Sequence, residues 1–119
     1  MKNKIKQAIY NYCKKNPGMT YREIEDIFTA NGYHWEGDGL SVSEEDGNVI
    51  FWEGWNKSAF DIISEMVRSG NLTRNPCSPL IYLIDGKMLT FPIVRKYPKG
   101  GYKNPHWLPC AFDAGENKL

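Results

Sequence analysis

His106 and Cys110 stand four residues apart, and Cys77 or His34 would have to complete any metal site built on them. Imidazole and thiolate are zinc ligands, but a structural zinc site needs four of them, normally in two close pairs, and no second close pair exists. No metal is expected. His34, Trp35 and Glu36 put an imidazole beside a carboxylate in sequence, yet adjacency along the chain does not supply the hydrogen-bond geometry of acid–base catalysis. Asp85-Gly86-Lys87 lacks the Gly-rich context and the following helix of a phosphate-binding loop. No nucleophile–base pair and no carboxylate pair stands out, so the chain reads as a non-enzyme without a cofactor.

The chemistry that remains is recognition by charge. The chain has 119 residues, with fifteen basic and fourteen acidic side chains and a net charge of +1. The charges are segregated. Residues 1–19 carry five lysines and no acid, a net of +5. Residues 20–53 carry Arg22 against nine acids, a net of −8. Residues 71–103 carry six bases against Asp85, a net of +5. Such blocks can create an oriented field even when the total is small.

Two candidate surfaces follow. Arg74, Lys87, Arg95, Lys96, Lys99 and Lys103 are interleaved with Tyr97 and Tyr102, a mixture suited to phosphate contact and base stacking. Asn56, Lys57 and Ser58 open a predicted helix that ends at Arg68, and they suit base-edge or phosphate contact. Asp61 and Glu65 share that helix's exposed face and offset its charge. The alternative surface is acidic: Glu36, Asp38, Glu44, Glu45 and Asp46 in the loop 36–53. Trp35, Phe51, Trp52 and Trp55 read first as core; if Trp52 and Trp55 are instead exposed, they would mark a protein-binding surface there.

Three amphipathic helices must position these groups. Ile5, Ala8, Ile9, Tyr12 and Cys13 fall on one helical face, which Asn16-Pro17-Gly18 ends. Thr20 and Glu23 form a capping-box signal before Ile24, Ile27 and Phe28, and Asn31-Gly32 closes that helix. Ala59, Ile62, Ile63, Met66 and Val67 repeat the pattern, with Arg68 in the last turn. Residues 33–48, rich in Gly, Ser and acids, read as a loop before a short buried strand, Val49–Trp52. Asp85-Gly86 between Leu80–Ile84 and Lys87–Phe91 is a strong hairpin signal. Ile9, Phe28, Ile63 and Leu83 should then share one interior. Beyond Pro92 the apolar residues through Phe112 predict an extended arm packed on the domain.

Helices over Ile5–Cys13 and Thr20–Phe28, then a helix and hairpin over Ala59–Phe91, resemble the winged-helix family of helix-turn-helix domains. The resemblance covers about three quarters of the chain and is one of element order. It implies an α+β, three-helix winged-helix-like domain with a C-terminal β-hairpin and an extended arm. It further implies a regulatory protein that binds double-stranded DNA through the third helix and the wing, with Lys87 at the wing tip. One departure stands against the usual docking: an acidic segment separates helices two and three and would lie near the phosphates. Trp52–Trp55 and His106-Trp107-Leu108-Pro109 are also similar to small phage-type or mobile-element proteins.

The length fits a single domain, expected over 1–112 with a disordered tail at 113–119. The apolar fraction of 41% and charged fraction of 24% are those of ordinary globular proteins. Cys13, Cys77 and Cys110 form no disulfide framework, and no signal or membrane-spanning run is present, so a cytoplasmic protein is expected. No oligomeric state is implied.

Overall fold

The first helix, α1 (Lys2–Lys15), buries Ile5, Ile9, Tyr10 and Cys13 and ends in Lys14 and Lys15, which suit its negative C-terminal dipole. The computed structural model describes residues 2–119. After α1 come β1 (Met19–Thr20), α2 (Tyr21–Ala30), β2 (Glu36–Val42), β3 (Val49–Trp55) and α3 (Lys57–Arg68). They are followed by β4 (Leu72–Pro76), α4 (Pro79–Asp85), β5 (His106–Trp107) and β6 (Cys110–Ala114). The class is α+β, with two three-stranded sheets.

The first sheet has the order β1-β6-β4, all antiparallel. The second has the order β2-β3-β5, with β2–β3 antiparallel and β3–β5 parallel. The three predicted helices share one core between the sheets. Ile9, Phe28 and Ile63 lie in it together with Trp52, Trp55, Trp107 and Phe112, all buried. Tyr21 organises the aromatic part: it stacks on Trp52 at 5.8 Å and meets Trp55 and Phe112 edge-on at 5.5 and 5.0 Å.

The capping box of α2 forms as read. The Thr20 hydroxyl accepts from the Glu23 amide, and the Glu23 carboxylate accepts from the Thr20 amide. The same hydroxyl donates to Asp85 at 2.7 Å, so one side chain caps α2 and holds the end of α4.

The structure corrects the expected hairpin. Residues 79–85 are helical, and 87–91 form no strand. Ser78 accepts from the Leu80 amide as N-cap, Pro79 occupies the first turn, and Gly86 closes the helix at φ +84°. Ser-Pro is a helix start signal, and Asp-Gly serves a helix stop as well as a β-turn. The run Leu80–Ile84 carries no periodicity to separate the two readings. Leu83 is accordingly exposed rather than shared with Ile9, Phe28 and Ile63.

Two further expectations change. The loop read over 33–48 contains β2, an edge strand that hides its alternation because its less exposed positions, Gly39 and Ser41, are not apolar while Leu40 and Val42 face outward with the acids. The chain also stays packed beyond Phe112: Asp113 and Ala114 belong to β6, and the Gly115 and Asn117 amides donate to Asn71 and Gly70. The arm does lie across the domain, where Ile93 bridges the buried Trp107.

Replacing Thr20 with Ala is expected to destabilise the domain by about 1–2 kcal/mol in chemical denaturation, with Thr20→Ser recovering most of it.

Candidate functional site

The face of α3 is largely occupied by its own partners. Asn56 is the N-cap: its carbonyl oxygen accepts from the Ala59 amide and its amide group donates to the His34 carbonyl. Lys57 pairs with Asp61 at 2.7 Å, Ser58 hydrogen-bonds the Tyr33 hydroxyl, and Glu65 pairs with Lys6 of α1 at 2.9 Å. Lys6 holds the Glu65 carboxyl below its ordinary range.

Strand β2 lies along this helix. A Cβ on Gly37 would sit 2.7 Å from the Asn56 backbone, and one on Gly39 would sit 2.5 Å from the Trp55 carbonyl oxygen, with Phe60 beside it. Only glycine permits so close an approach. Further along, Val42, Glu44 and Glu45 border the same pocket as Val67, Arg68 and Arg74. The acidic hairpin therefore flanks α3 from its N-cap to its last turn.

Lys87 is at no wing tip. Its ammonium lies 2.9 Å from both carboxylate oxygens of Glu25 and over the rings of Trp35 and Trp52, at 5.1 and 5.7 Å. Glu25 is buried, and its Oε2 accepts from the indole N–H groups of both Trp52 and Trp55 at 2.9 Å. Trp52 and Trp55 are thus fully buried core residues, which removes them from the acidic surface proposed for them. Sequence reading missed Glu25, although a signal existed. Tyr21, Ile24, Glu25 and Phe28 hold i, i+3, i+4 and i+7, so this carboxylate sits on the inward stripe of α2.

Arg95, Lys96, Lys99 and Lys103 are exposed along one arm segment, with Tyr97 also exposed. The arm is fastened by Asp46, whose carboxylate accepts from the Tyr102 and Asn48 amides at 2.8 and 2.9 Å. These two bonds lower the Asp46 pKa. Glu36, Asp38, Glu44 and Glu45 are exposed, so of the acidic candidates only Asp46 is committed to an internal contact. Arg74 is half-buried between β3 and β6 rather than presented to solvent. Burial raises the Cys13 and Cys110 thiols to about 11 and about 12. Among the described residues, no three His, Cys, Asp or Glu side chains converge to hold a metal.

The surface that sequence reading did not anticipate is the outer face of α4. Tyr82 anchors the helix, donating its hydroxyl to the Cys110 carbonyl at 2.6 Å and accepting from the Tyr21 amide at 3.0 Å. With Tyr82 inward, Leu80, Leu83 and Ile84 are left 63%, 60% and 84% exposed. Met88, three residues beyond the end of α4, shares a surface pocket with Leu40, Asp38 and Glu53 of the β2–β3 hairpin. Among the described residues no helix is long and apolar enough to cross a membrane. The chain matches no family model, no curated protein and no solved structure.

Lys87→Met leaves the Glu25 charge buried without its main counterion. A loss of about 2 kcal/mol is expected, below the 3–5 of a fully enclosed pair because Lys87 still reaches water. In a double-mutant cycle with Glu25→Gln, the pair should show a coupling of about 1 kcal/mol or more. Asp46 gives a pH signature. Its folded pKa is depressed, so its contribution is complete above the ordinary carboxylate range and disappears as pH falls through the lowered value. Amide hydrogen exchange at Tyr102, referenced to the intrinsic rate at each pH, should lose protection on acidification, and Asp46→Asn should show the weaker protection already at neutral pH.

Proposed function

We propose that this chain is a protein-interaction module on a winged-helix-like scaffold. Its partner would be a basic amphipathic protein segment, received on the surface formed by α4, Met88 and the β2–β3 hairpin. Element order supports the scaffold reading: α1, α2 and α3 precede the antiparallel pair β4–β6, the position of a wing ribbon. Residues 77–109 leave that ribbon where a short turn would otherwise close it.

The observation that carries the functional reading is the apolar outer face of α4. A single exposed leucine is ordinary. Three large aliphatic side chains on one short helix, with no charged residue from Pro76 to Ile84, are not. The hairpin supplies the sign of the partner: residues 36–53 contain six acids and no base. Met88, 41% exposed and three residues beyond α4, meets Leu40, 52% exposed, and the acids Asp38 and Glu53 at one surface pocket. A segment with an apolar stripe and flanking Lys or Arg satisfies both halves, the stripe supplying affinity and the charges orientation.

A second reading, contact with double-stranded DNA, draws on the arm. No acid occurs from Gly86 to Phe112, and Arg95, Lys96, Lys99 and Lys103 are exposed there beside Tyr97. That composition suits phosphate contact. Insertion of α3 into DNA is less well supported. A helix about 10–12 Å across already fills a major groove about 12 Å wide, and β2 adds an acidic strand alongside.

Titration with a labelled helical Leu/Lys amphipathic peptide, and separately with a short DNA duplex, tests both. The peptide is expected to bind wild-type protein, and Leu83→Asp or Ile84→Asp to weaken it by about tenfold or more. Asp38→Lys should weaken it further at low salt. Absence of peptide binding, or binding indifferent to Ile84→Asp, overturns the interaction reading. Saturable, salt-sensitive duplex binding lost in Lys96→Ala and Lys99→Ala, with no peptide binding, would establish the second.

A further inference from the structure

A surface cleft of about 620 Å³ falls within the range of small-ligand sites. It is lined by residues of edge strand β4, strand β3 and the last turn of α3, and by none of α4. Its lining is mixed: Phe51, Val67, Tyr97 and Leu108 offer partly exposed hydrocarbon, and Ser43, Thr73 and Asn117 are polar. Among the described residues lining it, Arg74 is the one cation.

Arg74 is held as few surface arginines are. Its guanidinium carbon lies 4.4 Å from the Phe51 ring centroid and 5.8 Å from that of Phe112. Its Nε donates to the Tyr21 hydroxyl at 3.1 Å. Burial raises the Tyr21 pKa, so that hydroxyl stays neutral. Among the described residues no carboxylate pairs with Arg74. The fork is fixed by stacking and by Nε, and its terminal nitrogens are uncommitted. A guanidinium so fixed loses little freedom when it donates two parallel hydrogen bonds to a carboxylate.

We infer that this cleft binds a monocarboxylate with an apolar body, its carboxylate on Arg74 and its hydrocarbon against Phe51, Val67 and Leu108. The rim sets the charge. Glu45 and Glu116 are exposed at the mouth and oppose a polyanion such as a nucleotide or nucleic acid, while one carboxylate on the inner arginine is neutralised. The same chemistry is offered by a free organic acid and by the C-terminal carboxylate of an apolar peptide.

Calorimetric titration of the full chain distinguishes the sources with four probes: octanoate, octanol, an acetylated Val-Leu-Phe tripeptide with a free C-terminus, and its C-terminal amide. At least one acid should bind with one-to-one stoichiometry, and the octanol and amide counterparts about tenfold or more weaker. Octanoate alone assigns a free acid, and the tripeptide acid alone assigns a peptide terminus. Arg74→Gln should abolish the preference for acid over alcohol or amide. Because Arg74 also packs between two rings, Val67→Trp serves as a second variant that fills the cleft and leaves Arg74 in place; it should lose binding while circular dichroism stays native. Leu83→Asp, on the α4 surface, should bind the acid as wild type does. The proposal is overturned if wild-type protein binds neither acid, if acids bind no better than alcohol and amide, or if folded Val67→Trp binds unchanged.

Discussion

A single carboxylate, Glu25, sets the arrangement of the core. Enclosing a charge costs several kcal/mol unless opposite charge and hydrogen bonds replace its water. Here the replacement comes from three places in the chain: the indoles of Trp52 and Trp55 on β3, and the ammonium of Lys87 just beyond α4. Each indole would otherwise be a buried donor without an acceptor, so carboxylate and tryptophans satisfy one another. The requirement fixes the rotation of α2, the face that β3 turns inward and the point at which the chain leaves α4. Tyr21 then fills the space between the two tryptophans and Phe112, which joins the second sheet to the first.

Legibility in the sequence followed burial on one side. Helices α1, α2 and α3 each bury one stripe, so Ile5–Cys13, Thr20–Phe28 and Ala59–Val67 display a helical period, and the Thr20–Glu23 cap marks a boundary. Helix α4 shows no period because it is apolar all round and buries Tyr82 alone. Strand β2 shows none because its residues are mostly exposed at a sheet edge. Of the candidate sites, the charged arm was readable from composition, since nothing in the fold covers it. The burial of Trp52 and Trp55 was readable as the first of two readings, but the carboxylate that receives their indoles, and the engagement of Lys87, were not readable from their own surroundings. That carboxylate is Glu25, which is remote in sequence and announces itself only by standing on an apolar stripe.

The two surfaces differ in physical character. The α4 strip is uncharged and exposed, and the proposed interaction surface joins it through Met88 to the acidic hairpin, which would combine burial of hydrocarbon with a sign of charge. The Arg74 cleft is recessed, and its one cation is held by aromatic faces. They lie on different elements and use different forces, and each has a scaffold stiffened by the aromatic core. The basic segment from Arg95 to Lys103 forms a third, solvated region, tied down by Asp46 rather than by hydrocarbon.

Gly37 and Gly39 have an implication for redesign. Because backbone meets backbone at Trp55 and Asn56, the start of β2 is locked to the junction of β3 and α3, with the Phe60 ring of α3 beside Gly39, rather than hanging as a detachable flap. Neutralising every acid on the hairpin would change the electrostatic potential around the helix but leave its silhouette intact. Enlarging either glycine would prise the strand outward and disturb the seating of Asn56 and Phe60. Width, and not only charge, decides what this helix can slide into.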